Sequence, residues 1–158
     1  MKLYSLFIAT LPGFERICAH ELKRLGMARC SPSLGGVSIS GGLRELMMAN
    51  LCLRSSALIL VRLNRFTALH LDQLRKPIAK IPWENYLQVG QPLRVSVSCQ
   101  KSRLYHTGAI EERVRQVIVQ TLSQRAAIKG QSGSTLPAAR IQVRLVNNRV
   151  TVSLDSTG

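Results

Sequence analysis

The sequence predicts an α+β chain made of two small consecutive units, the first βαββαβ and the second α-(α)-β-α-β-β. Three observations predict it. Short apolar or alternating runs interleave with apolar residues at helical spacing, glycine and proline clusters punctuate the transitions, and the pattern resets near residues 68–70.

Residues 3–10 form a continuous apolar run that ends at Leu11-Pro12-Gly13, as a buried first strand should. Phe14, Ile17, Cys18, Leu22 and Leu25 then recur at helical spacing until Gly26 supplies the stop. A second strand is expected over 27–31, a turn at Gly35-Gly36, a third strand over 37–40, and a break at Gly41-Gly42 before a helix over 43–53. A fourth strand follows over 57–66. This order is the split-βαβ, ferredoxin-like arrangement, and it assigns residues 1–68 to a first domain.

In the second domain, 69–158, Leu71, Leu74 and Ile78 suggest a short helix broken by Pro77, and residues 81–84 a second turn-bounded piece. Trp83 is expected to pack between the halves. Residues 93–100 alternate, with Val95, Val97 and Cys99 on one face and Arg94, Ser96, Ser98 and Gln100 on the other. The strongest helix runs over 109–127 with Ile110, Val114, Val117, Ile118 and Leu122 as its buried stripe, Thr107 or Gly108 as its cap, and Glu111 and Glu112 in its first turn. After a flexible 129–137 stretch, Ile141, Val143 and Leu145 alternate into an Asn147-Asn148 turn and a last strand carrying Val150, Val152 and Leu154.

Composition limits what such a chain does. Hydrophobic residues make up 46% and charged residues 19% of 158, which excludes a disordered polymer. Lysine and arginine number 22 against 8 acids, a formal +14, and self-repulsion on that scale points to a polyanionic partner. Sixteen of the 22 are arginine, whose planar fork grips phosphate and stacks on unpaired bases. Nine bases against three acids precede residue 69 and thirteen against five follow it, so the halves carry +6 and +8, and a continuous basic surface across both is expected. No apolar run approaches the roughly 18 residues of a membrane span. Cys18, Cys30, Cys52 and Cys99 make no C-x-x-C pair, which argues against zinc and for a reducing, cytoplasmic setting.

The chemistry concentrates at residues 101–107, between the half-polar strand and the long helix. Lys101 and Arg103 bring charge, Tyr105 or His106 a stacking surface for a base, and Ser102 and Thr107 hydroxyls for phosphate or sugar oxygens, beside the N–H groups of a helix start. The plainer alternative is a solvated loop with a capping threonine. Arg94, Gln142, Arg144 and Arg149 extend this surface if their strands are neighbours; Arg62, Asn64 and Arg65 are weaker candidates. His20 and His70 read as structural, the paired glycines as turns. Eight scattered acids leave almost no material for a carboxylate mechanism, and no nucleophile–base pattern is readable, so catalytic and metal-binding residues are assigned to none.

The blocks SLFIATLPGFERICAHELKRLG, GGVSISGGLRELMMANLCLRSSALILVRLNRF and IPWENYLQVGQPLRVSVSCQKSRLYHTGAIEERVRQVI resemble the N-terminal part of the S-adenosylmethionine-dependent guanine-N2 RNA methyltransferases, in particular the bacterial 23S ribosomal RNA enzymes. The resemblance covers essentially the whole chain. It implies a ferredoxin-like domain followed by a THUMP domain that binds structured RNA and presents a guanine to a separate Rossmann-like domain. In that family the cofactor glycines and the catalytic loop follow a segment like VSLDSTG, so they have no positions here and this chain is expected to be catalytically silent, with no cofactor of its own. S-adenosylmethionine belongs to the missing domain. Ribosomal RNA is favoured as partner and transfer RNA stays possible; a stand-alone RNA- or ribosome-binding adaptor is the alternative, and the oligomeric state is open.

Overall fold

A computed structural model describes residues 3–127 and 136–157, so most of the stretch expected to be flexible lies outside the described residues. The chain divides into two compact units, one formed by the residues up to Arg62 with those from Leu154 on, the other by Leu63–Ser153.

The first unit contains β1 (Tyr4–Ala9), α1 (Glu15–Arg24), β2 (Cys30–Ser33), β3 (Gly36–Gly41), α2 (Leu43–Cys52) and the beginning of β4 (Leu58–Thr67). Its strand order is β2-β3-β1-β4, with β1 antiparallel to both β3 and β4, which is the ferredoxin-like order. Register places Leu6 opposite Ile39 and Val61, and Ile8 opposite Val37 and Ile59, so these six side chains share one face. All six are buried, as are Cys18 and Leu22 of α1 and Ala49 of α2. Burying each large aliphatic chain contributes about 1.5–3 kcal/mol. On the opposite face Phe7 lies under the Arg62 guanidinium, 4.3 Å from its ring centroid, and Arg62 also donates to Ser38 Oγ at 3.0 Å.

Two expectations change here. The second strand starts at Cys30, because Met27 belongs to the end of α1: Gly26 takes φ +85°, its N–H donates to Lys23 O, and the Met27 N–H donates to Leu22 O. This is a Schellman ending, and it buries Met27 near Leu22. Of the glycines bracketing β3, Gly35 makes the turn at φ +82°, but Gly36 and Gly41 lie inside the strand. A Cβ on Gly36 would collide with the Ile8 carbonyl oxygen and sit 2.7 Å from Phe7 Cζ, so close backbone approach demands glycine there.

Two α1 carboxylates tie the loops of this unit to the helix. Glu15 accepts from the N–H groups of Gly13 and Gly35, and Glu21 from Ser55 Oγ at 2.7 Å and the N–H groups of Arg54 and Ser55. Hydrogen bonds from the Gly35 N–H to Glu15, and from the Ser55 hydroxyl to Glu21, hold both carboxyls below the ordinary carboxylate range. A depressed folded-state value means that the stabilisation is complete above the unfolded-state pKa, about 4.3, and is lost as pH falls through the folded one. The thermal midpoint should therefore decline in acid below about pH 5, and the double variant Glu15→Gln/Glu21→Gln should flatten that limb of a melting-temperature profile.

The second unit contains the rest of β4, α3 (Asp72–Ala79), a 3-10 turn (Trp83–Asn85), β5 (Leu93–Gln100), α4 (Thr107–Ala127), β6 (Ala139–Val146) and most of β7 (Arg149–Asp155). The 63–67 end of β4 lies beside β7, followed by β6 and β5. β5 and β6 are parallel, and α4 supplies the crossover that a parallel pair needs. Ile110, Val114, Val117, Ile118 and Leu122 of α4 are buried, together with Ile141, Val143 and Leu145 of β6 and Val150 and Val152 of β7.

Here too the structure corrects the sequence. Pro77 sits inside α3 and does not break it, since only two helical residues follow and the fully buried Leu74 and Ile78 hold the turn on both sides. Trp83 is fully buried, and its Nε1–H donates to Ile78 O at 2.9 Å. His20 and His70 are exposed and fill no core role. Asn64 uses its side-chain amide on Pro77 O at 3.0 Å. No described helix is long and apolar enough to cross a membrane.

Candidate nucleic-acid interface

α4 begins at Thr107, two residues earlier than its apolar stripe suggests. The Ile110 N–H donates to His106 O, which makes His106 the residue at the cap and puts Thr107 and Gly108 inside the first turn. Glu111 and Glu112 consequently fall in the second turn, where they accept from Arg115 at 2.7 Å and from Gln116 at 2.9 Å. The first turn carries no acid. Its N–H dipoles and the neighbouring Lys101 and Arg103 thus make one positive locus without a carboxylate to offset it.

The 101–107 loop is anchored to the β6–β7 turn. Asn147 and Asn148 take φ +51° and +63°, a type I′ pair that asparagine tolerates. Asn148 donates its N–H to Ser102 Oγ at 3.0 Å, accepts the Arg103 N–H on Oδ1 at 2.8 Å, and offers its carbonyl to the Ala68 N–H. Ser102 Oγ in turn donates to Gln100 O. The Ser102 hydroxyl is thus engaged within the protein, while Lys101, Arg103, Tyr105, His106 and Thr107 are exposed. The rings of Tyr105 and His106 lie against each other, centroids 4.1 Å apart at 37°, and Tyr105 is 66% exposed. Asn148→Ala should remove the Oδ1 acceptor and strain the left-handed turn, costing about 1–2 kcal/mol in a denaturant titration and speeding hydrogen exchange at the Arg103 amide.

The strands holding the other candidates are neighbours. Register pairs Arg94 with Arg140, Ser96 with Gln142, and Ser98 with Arg144, so these six share the polar face of β5 and β6. Across the two-residue turn Arg149 stands opposite Val146 and joins the same face diagonally from Arg144. Lys101, Arg103, Arg144 and Arg149 therefore collect at the end where the loop lies. Arg94 is placed six residues back along β5, roughly 20 Å away.

Sequence reasoning missed two participants. Arg140 faces Arg94 in the register, and the alternation Arg140, Gln142, Arg144 was the available signal. Asn148 was visible as a turn residue, but its role as the anchor of the loop depends on a contact across 45 residues. Other cations prove to be structural. Arg125 donates to Ala79 O, Ile81 O and Glu84, Arg115 to Leu93 O and Glu111, and Arg113 pairs with Asp72. Among the described residues no group of three His, Cys, Asp or Glu side chains is placed to hold a metal.

Comparison with known proteins agrees with these two units. Residues 5–60 match the family model described as the RlmL ferredoxin-like domain, and residues 68–155 match the THUMP domain. A ribosomal RNA large subunit methyltransferase K/L of Syntrophotalea carbinolica is 28% identical over 96% of this chain and 22% of its own length. A crystal structure from Listeria monocytogenes, described as a predicted N6-adenine-specific DNA methylase, has 28% identity and a TM-score of 0.90, over 98% of this chain and 40% of that one. SMU.472, a putative methyltransferase complexed with SAH, has 25% identity and a TM-score of 0.88, over all of this chain and 42% of its own. The chain thus spans less than half the length of each of these proteins. With the THUMP model alone accounting for more than half of its residues, and an RlmL-type ferredoxin-like domain ahead of it, this chain belongs to the THUMP-domain family.

Proposed function

We propose that this chain is the RNA-binding part of an S-adenosylmethionine-dependent guanine-N2 RNA methyltransferase and that it acts in the cytoplasm. The observation that carries the reading is the exposed Tyr105–His106 stack beside Lys101, Arg103, Arg144 and Arg149 at one end of the THUMP sheet. The cations hold phosphates, which fixes the position of the RNA, and the ring pair receives an unpaired base. Bound in this way, a structured RNA is held for a methyl transfer carried out by residues outside this chain. The SAH-bound relative supports S-adenosylmethionine as methyl donor, and the large-subunit methyltransferase supports ribosomal RNA as substrate. Four free cysteines suit a reducing compartment.

If about six phosphates are neutralised, a plot of log affinity against log salt has a slope near −4 for single-stranded RNA. Fluorescence anisotropy with ribosomal RNA hairpins, transfer RNA and DNA hairpins of matched sequence measures it. The second reading, DNA as substrate, comes from the description of the Listeria relative. Equal affinity for the DNA hairpins would favour it, and a slope near zero would remove the electrostatic argument altogether.

A further inference from the structure

In the first unit, α2 leaves Leu43, Met47 and Leu51 61%, 55% and 81% exposed. Their spacing of four places them on one face over about 12 Å of helix. The other side of the same helix buries Ala49, so α2 is apolar on two sides while only one is covered. No feature of the RNA site uses this face.

The end of the chain lies beside it. Ser156 donates its N–H at 2.9 Å and its hydroxyl at 2.8 Å to Ile59 O, and the Asn50 side-chain amide donates to Ser156 Oγ at 3.2 Å. The Ile59 N–H donates to Thr157 Oγ1 at 3.0 Å. At 100° per residue, Asn50 is within about 60° of both Leu43 and Met47 on the helix surface, so residues 156–157 are fixed along the margin of the apolar stripe. Polypeptide continuing from there starts next to α2.

We infer that Leu43, Met47 and Leu51 are the docking face for the methyltransferase domain that follows this region in the longer relatives. The inference rests on the reading of the chain as the leading part of such an enzyme. More than half of each relative's length lies outside the matched region, which leaves a whole domain to be seated. Apolar contact at the exit point holds that domain by its nearest surface.

Met47 is its own probe, since a thioether in solvent is oxidised by peroxide faster than a covered one. Oxidation of Met47, followed by mass spectrometry, should be roughly tenfold slower in the protein extended through its continuing reading frame than in the 158-residue chain. Met47→Lys/Leu51→Lys should split the single thermal transition of the extended protein into two, while leaving the RNA affinity of the 158-residue chain unchanged. Equal oxidation rates in the two proteins would overturn the inference. So would a reading frame that stops at codon 158, or protection of Met47 in the short chain that grows with concentration, which would assign the face to a second copy. Anisotropy of the short chain with RNA is independent of all these results, so loss of the docking face and loss of the RNA reading are told apart.

Discussion

Replacing Lys101, Arg103, Arg144 and Arg149 together by alanine is expected to weaken RNA binding by about 10²- to 10³-fold at 0.1 M salt and to reduce the salt slope by about 3. Each phosphate contact to single-stranded RNA contributes about 0.7 to the slope, hence a four- to fivefold factor at that ionic strength, and the four factors multiply. The cluster qualifies because its side chains are exposed and gathered at one end of the β5–β6–β7 face. A matched control removes the same number of charges from exposed positions elsewhere, namely Arg16, Arg24, Arg29 and Arg44 of the first unit. If the control loses as much affinity as the cluster variant, binding follows net charge alone and the proposed site is wrong. Tyr105→Ala adds a second axis: it should lower affinity by about 1–3 kcal/mol with little change of slope, because stacking releases no counterions.

Trp83→Ala is expected to destabilise the second unit by about 3–5 kcal/mol. The side chain is fully buried, and its removal leaves a large void and takes from the Ile78 carbonyl the shorter of two bonds, 2.9 Å against 3.2 Å from the Ile81 N–H. That loss is comparable with the whole stability of a small domain, about 5–15 kcal/mol. Trp83→Phe separates the two parts: it keeps most of the volume and loses only the N–H, for about 1–2 kcal/mol. Because Trp83 is the single tryptophan, its fluorescence reports unfolding of its surroundings directly in the unsubstituted protein. A urea titration giving less than about 1 kcal/mol for the alanine variant would show that this residue does not anchor α3 and the 3-10 turn.

The α4 arginines show what one-dimensional reading lacks. Arg113, Arg115 and Arg125 look in the sequence like further cations for a polyanion, yet each has a carboxylate or carbonyl partner in the fold. Arg125 reaches partners 41 to 46 residues away, a distance at which periodicity carries no information. Ser102 is a similar case. It was legible as part of a polar loop, but its hydroxyl is committed to Gln100 and Asn148. By contrast, Lys101, Arg103, Tyr105 and His106 stand exposed in the loop where the sequence places them, with Thr107 moved into the first turn of α4, because a short connection between a strand and a helix has few conformations open to it.

Sequence by itself determined the order and type of the elements, the apolar stripe of α4, the alternating faces of β5 and β6, and the excess of positive charge, since each is set by neighbours within a few residues. Tertiary structure alone decided the rest: that β5 pairs in parallel with β6, that Met27 closes a helix and Gly36 must lack a Cβ, that Asn148 holds the loop, and which arginines stay available. The physical reason is that pairing, close approach and charge neutralisation are contacts between distant segments, and their partners exist only once the chain has closed upon itself.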